Sequence, residues 1–430
     1  MSNPSTILIA DFVPLANRGE EAILRGIEDL LGQGGDLRVG IFDDVTAPME
    51  VGRVTVFPWR WIFRAQGNLN FAGLPRQLHD MAMTVQMRGG YWGPLRNLLR
   101  PSQPALQALA DFFARSDLVL VGHDGVFCTE SCGVIHLAKQ AGKRVGILGA
   151  SVVLAPKARA YKGWLYRQAL DECDFCLFRE RYAQESLSCV ATTPEKLQVA
   201  PDPAFAMIPA SASAAESLLT GHSVYRQARA AGRPVIVATV LEKGRVYAGF
   251  RPALKGQEKR NAQARYLATL LKGLIDETNA LVVFLPHAVE ADASDIEAAW
   301  RVTGAMAVPE RHTLILEQDL DARTLKAIIR AGDFLVGQRT HSLIGAVGVG
   351  TPFVGLTNAR DTRTHGIIGG MCLCEDQLID MEAVSAESAL RKLLTIWSQR
   401  QRLAMHLGAV MAGLSKQLQE LAAVVMLETG

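Results

Sequence analysis

The sequence predicts an α/β protein built from two successive doubly wound units, and three observations carry that expectation. Short apolar runs alternate with segments of helical period in both halves of the chain, which implies βαβ units and mostly parallel sheets. An Ala/Ser-rich break near residue 209 separates the runs into two series. With 430 residues, the chain also exceeds what one ordinary core holds together.

In the first series, Ile7-Leu-Ile-Ala reads as a strand, residues 20–31 as a helix and Leu37-Arg-Val-Gly-Ile-Phe as a second strand. Leu118-Val-Leu-Val, Arg144-Val-Gly-Ile-Leu-Gly, Phe175-Cys-Leu-Phe and Lys196-Leu-Gln-Val-Ala extend it, with helices between. Residues 54–102 read as an irregular insertion in which Trp59, Trp61, Phe63, Phe71, Tyr91 and Trp92 alternate with arginines. Such a mixture suits an acceptor sugar or anionic headgroups, or packs onto the first domain. The segment Pro209-Ala-Ser-Ala-Ser-Ala-Ala-Glu, closed by Ala230-Ala-Gly-Arg-Pro, reads as a connection over 209–232. Beyond it come Val235-Ile-Val-Ala-Thr-Val, a helix over 262–279, Leu281-Val-Val-Phe-Leu, Leu314-Ile-Leu, Phe334-Leu-Val and Phe353-Val-Gly-Leu. The expected domains are therefore 1–208 and 233–390, with amphipathic packing helices over 391–430.

Bulk composition narrows the function. The chain is 49% hydrophobic and 20% charged, with a formal net charge of +2. This argues against a broad nucleic-acid surface, which needs a strongly basic domain. No apolar run reaches the length of a membrane helix, and the first residues lack signal-peptide character, so a cytoplasmic protein is expected. Of the seven cysteines, the pairs Cys128/Cys132, Cys173/Cys176 and Cys372/Cys374 lack a finger-like quartet. They read as core residues, and no metal is expected.

The turn with the most chemistry is Gly337-Gln-Arg-Thr-His-Ser-Leu, between the strand ending at 337 and a helix that runs to Gly350-Thr-Pro. Free N–H groups at such a helix start favour an anion, and an arginine beside them can grip phosphate or carboxylate with two parallel bonds. Arg339 and His341 stand there. Alternatively, Arg339 pairs with a carboxylate and His341 is structural. Ligands of doubly wound sheets bind beyond the carboxyl ends of the strands, so other turns matter as well. These are Asn17-Arg-Gly-Glu-Glu after the first strand, Gly122-His-Asp-Gly after Val121, Pro286-His287 after Leu285, and the basic turn with Lys243 and Arg245 after Val240.

Taken together, these pieces resemble the polysaccharide pyruvyl transferase family. The resemblance runs in order through N-R-G-E-E-A-I-L at 17–24, L-V-G-H-D-G at 120–125, Leu148-Gly-Ala-Ser, F-R-E-R at 178–181, Pro201-Asp-Pro-Ala-Phe, Phe284-Leu-Pro-His and Gly337-Gln-Arg-Thr-His-Ser-Leu with Gly350-Thr-Pro. Glu20 stands where the family usually has Asp, and His123 and Asp124 interrupt its glycine-rich turn.

The resemblance implies two Rossmann-like domains facing a cleft, similar to GT-B glycosyltransferases. It further implies transfer of the enolpyruvyl-derived group of phosphoenolpyruvate to sugar hydroxyls as a ketal. Phosphoenolpyruvate would be a co-substrate, with no cofactor, and the acceptor a saccharide that is free or lipid-linked at the inner membrane face. On this reading Arg339, His341, Ser342, His287, Lys243 and Arg245 bind the donor. Asn17, Glu20, Gly122, His123 and Asp124 bind the acceptor. His341 is the expected acid, and Asp124 or Glu20 the base. Two alternatives stand beside it: a nucleotide-sugar glycosyltransferase with Glu317 or Asp319 on the ribose, and a non-catalytic module for anionic sugars.

Overall fold

A computed structural model describes the chain except for residues 1–5, 33–36, 63–92, 124–126, 128, 153, 155, 244, 290–293 and 427–430. Fourteen strands among the described residues form two sheets. The first contains β1 (Thr6–Phe12), β2 (Arg38–Asp43), β3 (Met49–Val51), β4 (Val54–Pro58), β5 (Leu118–Val121), β6 (Arg144–Ala150), β7 (Phe175–Phe178) and β8 (Leu197–Val199). The second contains β9 (Val235–Thr239), β10 (Leu281–Phe284), β11 (Thr313–Ile315), β12 (Phe334–Gly337), β13 (Phe353–Thr357) and β14 (Leu378–Asp380).

Strand order in the first sheet is β3-β4-β2-β1-β5-β6-β7-β8, parallel except for the β3–β4 edge pair. In the second it is β11-β10-β9-β12-β13-β14, parallel throughout. Both orders reverse direction beside the unit's first strand, between β1 and β5 and between β9 and β12. These are topological switch points, where doubly wound sheets bind ligands. The runs that predicted strands are apolar because helices cover both faces: every residue of β5, β7, β9, β10, β12 and β13 is buried.

Two compact units emerge: residues 1–15, 27–203 and 417–430, and residues 16–26 and 204–416. The expected linker at 209–232 is instead two helices of the second unit, Ala212–Thr220 and Ser223–Ala230. Ser211 caps the first by accepting the Ala214 N–H at 3.1 Å, and alanine is the best helix former. The composition that looked like a break is a capped helix. Part of the 54–102 insertion packs within the first unit: Phe57 lies edge-on against Phe112 and tilted against Trp61, and Trp59 donates to Asp44 at 3.2 Å. Its remaining aromatics, Phe63, Phe71, Tyr91 and Trp92, lie outside the described residues.

F-R-E-R and Pro201-Asp-Pro meet in the first unit's core. Arg179 and Asp202, both wholly buried, bond at 2.8 Å, and Arg179 Nε donates to Ser151 at 2.7 Å. Described cysteines 132, 173, 176, 372 and 374 are buried free thiols. Cys128 lies outside the described residues.

Candidate active site

In the second unit, β12 ends at Gly337 and the helix Thr340–Val349 begins three residues later with Arg339 as its N-cap. A buried polar web fixes this turn. Gln338 accepts the Leu241 N–H at 3.0 Å, Gln263 donates to the Leu241 carbonyl at 2.8 Å, and Thr340 shares a 2.7 Å hydrogen bond with Thr364. No side chain caps the helix start, so its first N–H groups point toward the carboxyl end of the sheet.

The guanidinium of Arg339 is already engaged. Its Nε donates to Asp295 at 3.1 Å and its Nη2 bonds the other carboxylate oxygen, with the arginine side chain 20% exposed and the aspartate 1%. The fork expected on the donor's phosphate or carboxylate is therefore occupied by the Asp295 carboxylate, the alternative pairing, leaving Nη1. Asp295 also accepts the His287 N–H at 2.9 Å and the Ala288 N–H at 3.0 Å. The sequence places this residue among the acidic side chains that follow His287, with no role assigned, and it stands in the first turn of the helix Asp295–Met306.

His287 lines the site as a neutral ring. Burial, then the Arg339 charge, push its pKa down to about 4. Its Nδ1 lies 3.2 Å from the Leu285 carbonyl, and because a carbonyl only accepts, that nitrogen carries the proton and Nε2 is the acceptor. As a neutral ring, His287 adds no positive charge to a donor site. Ser342, also expected on the donor, is closed off by its partners. It is wholly buried, accepts from Thr239 at 2.9 Å and donates to the Arg339 carbonyl at 2.7 Å.

His341 and His287 share a cavity of about 10 Å³ with Arg18 and Lys326, room for about one water. Nζ of Lys326, nearly buried, reaches the carbonyls of Met207 at 2.6 Å and Phe205 at 3.2 Å. Arg18 donates to Glu21 at 2.9 Å and bonds Asp319. Burial opposes the Arg18 charge, yet Asp319 and Glu21 outweigh it and raise its pKa. Glycine at 19 has a steric cause, since a Cβ there would overlap Nδ1 of His341. Thus the N-R-G motif shapes the His341 site. Sequence reading had assigned no role to Arg18 or Lys326.

Asn17 and Glu20, expected on the acceptor side of the first domain, belong to the second unit. Asn17 forms a bridge with Ala288 and accepts the Gly19 N–H at 3.1 Å, and Glu20 is buried. Lys243 is exposed, while the Arg245 side chain and all of Asp124 lie outside the described residues. Exposed Asp319, a candidate for ribose, is the partner of Arg18, and Glu317 is exposed.

The first unit's switch point is built around Asp11. Its carboxylate accepts the N–H groups of Gly122 and of His123, the latter at 2.9 Å, and the Ser131 hydroxyl at 3.3 Å. Burial pushes Asp11 up to about 8, against those three donors, which favour the carboxylate. Gly122 has φ +95°, and a Cβ there would lie 2.8 Å from that of Ala150. His123 is only 2% exposed. Gly122 and His123 therefore form the buried floor of this turn, which corrects their expected contact with an acceptor. Among the described residues, no cluster of His, Cys, Asp or Glu could hold a metal ion, and no helix is long and apolar enough to cross a membrane.

Two successive doubly wound units with mostly parallel sheets are the architecture of the GT-B class of folds. Similar solved structures agree: the UDP-forming α,α-trehalose-phosphate synthase of Burkholderia vietnamiensis has TM-score 0.54 at 15% identity, covering 98% of this chain and 99% of that one. Anabaena HepE in complex with UDP and glucose has TM-score 0.52 at 13% identity, covering 98% of each chain. At such identities the likeness shows the fold alone. No curated protein matches the sequence. The pattern of the polysaccharide pyruvyl transferase family matches residues 17–360, and the chain belongs to that family and is a transferase.

Proposed function

We propose that this protein transfers the pyruvyl group of phosphoenolpyruvate to two hydroxyls of a saccharide, forming a ketal. The observation that carries the proposal is the convergence of His341, Arg18, His287 and Lys326 on one cavity of the second unit. A cation-rich notch suits a small trianion. At its present volume the notch does not contain the donor, so the donor phosphate would replace Asp319 on Arg18, and Asp319 is the exposed member of that pair.

His341 donates a proton to the vinyl carbon C3, and the positive charge that develops at C2 is met by the first sugar hydroxyl. Phosphate leaves C2 with its bridging oxygen, and the second hydroxyl adds to close the ketal. Arg339, held by Asp295, positions the helix start that carries His341. Its free Nη1 and the uncapped N–H groups face the donor carboxylate. Lys243 and Arg245 attract the anion, and Glu20 accepts the hydroxyl proton. Binding of phosphoenolpyruvate without acceptor tests the donor half. A hundredfold excess over Kd should stabilise the protein by about 2.7 kcal/mol, and an unchanged Tm with millimolar phosphoenolpyruvate would count against it.

A further inference from the structure

Beyond the switch point, the second unit carries a groove of about 450 Å³ between the segment after the helical turn His365–Met371 and the two C-terminal helices, Ala386–Ser398 and Arg400–Met426. Leu373 stands on its rim in left-handed backbone, φ +54°, and is 73% exposed. A branched apolar residue rarely adopts that conformation. It is held there from both sides: the N–H groups of Cys372 and Cys374 donate to the carbonyls of Ile367 and Ile368 at 3.0 Å each, and both cysteine side chains are wholly buried. The two thiols anchor the loop and turn the leucine outward. Strain and exposed apolar surface fixed this firmly are a mark of function.

Several polar groups in the groove are uncommitted. Among the described residues, the side chains of Arg402 and Asp376 have no hydrogen-bond or ion-pair partner, and Nε2 of His406 is shielded from solvent with none. Lys392 brings a second cation and binds only the Leu378 carbonyl, at 2.8 Å. The surrounding sequence is lopsided: from 388 to 419 there are five Lys and Arg residues and no Asp or Glu, in a chain whose net charge is +2.

We propose that this groove binds a carboxylate-bearing stretch of the saccharide chain, away from the reacting hydroxyls. Arg402 and Lys392 meet the sugar carboxylate, Asp376 and the groove amide of Gln399 meet hydroxyls, and Leu373 covers the apolar face of a ring. Pocket volume and the balance of apolar and polar groups suit one or two sugar residues. This inference rests on the saccharide-transfer reading for the identity of its ligand, but not on the donor or the chemistry.

The test is binding to the full chain without phosphoenolpyruvate, followed by calorimetry. Three probes are used: an oligosaccharide carrying a 4,6-pyruvate ketal, an oligogalacturonate and maltotetraose. The expected result is saturable binding of one or both acidic probes, at least tenfold tighter than maltotetraose, with at least a tenfold loss in Arg402→Ala. Ketal alone would mark the product as the source of the carboxylate, and oligogalacturonate as well would mark any acidic sugar. Leu373→Gly, which suits the left-handed backbone and keeps the fold, should weaken binding as well. Equal affinity for maltotetraose, no binding of either acidic probe at millimolar concentration, or unchanged affinity in both variants would overturn the proposal. Turnover on a short acceptor should be unaltered in Arg402→Ala, which separates this site from the catalytic one.

Discussion

Asp295 holds Arg339 through both carboxylate oxygens and with one of them also takes the N–H groups of His287 and Ala288. One buried carboxylate thus ties the end of β10 to the turn that carries His341. Its removal leaves an arginine charge and two N–H groups without their acceptor. Asp295→Ala should lower stability by about 3–5 kcal/mol, read by denaturant unfolding. A loss below about 1 kcal/mol would mean that the pair does not organise the turn.

Gly19→Ala tests the link between the N-terminal motif and His341. The added methyl would occupy the imidazole's space, so the ring must turn away. Turnover should drop about 10²-fold, the scale of a misplaced catalytic group, while helix content is retained. Wild-type turnover in a folded Gly19→Ala protein would show that His341 need not stand where it does.

Two buried groups give opposite pH slopes. His287 is held down at about 4 against an ordinary 6.5, so between those values the unfolded chain binds a proton that the folded one refuses, and stability falls as pH drops. Asp11 is pushed up from 3.8 to about 8; the folded chain keeps a proton that the unfolded one loses, and stability falls as pH rises through that range. Each slope is about 1.4 kcal/mol per pH unit, and from pH 4 to 6.5 they oppose each other. His287→Asn should therefore leave stability falling with rising pH, and Asp11→Asn should leave it rising. Profiles parallel to wild type in both variants would refute these shifts.

Arg179 and Asp202 form a pair with no solvent contact. Arg179→Met removes the buried aspartate's ion-pair partner, and should cost about 3–5 kcal/mol. Double replacement with Asp202→Leu should recover part of that loss. If the single variant unfolds at the wild-type denaturant concentration, F-R-E-R has another role.

Much of this architecture was legible because parallel strands are buried on both faces and therefore apolar. Gly337 to Pro352 reads directly as strand, turn, helix and strand. Other features depend on contacts far apart in sequence. Nothing local says that Asp295 will meet Arg339 rather than solvent, or that residues 16–26 will pack with the second unit and bring Arg18 and Gly19 to His341. Asp11 lies near the end of an apolar strand, and its burial depends on the Gly122 turn more than a hundred residues later. The Ala/Ser segment misled because a capped alanine helix and a flexible linker share a composition.

The central claim is that His341 protonates phosphoenolpyruvate in a reaction that transfers its pyruvyl group to a saccharide and releases inorganic phosphate. Phosphorus NMR of the purified protein with phosphoenolpyruvate and an acceptor panel measures it directly. We predict inorganic phosphate formed together with ketal, one for one, and slowed about 10²- to 10⁴-fold in His341→Ala. Undiminished phosphate release by that variant would contradict the claim. So would release of a nucleoside diphosphate from a sugar nucleotide with phosphoenolpyruvate left intact.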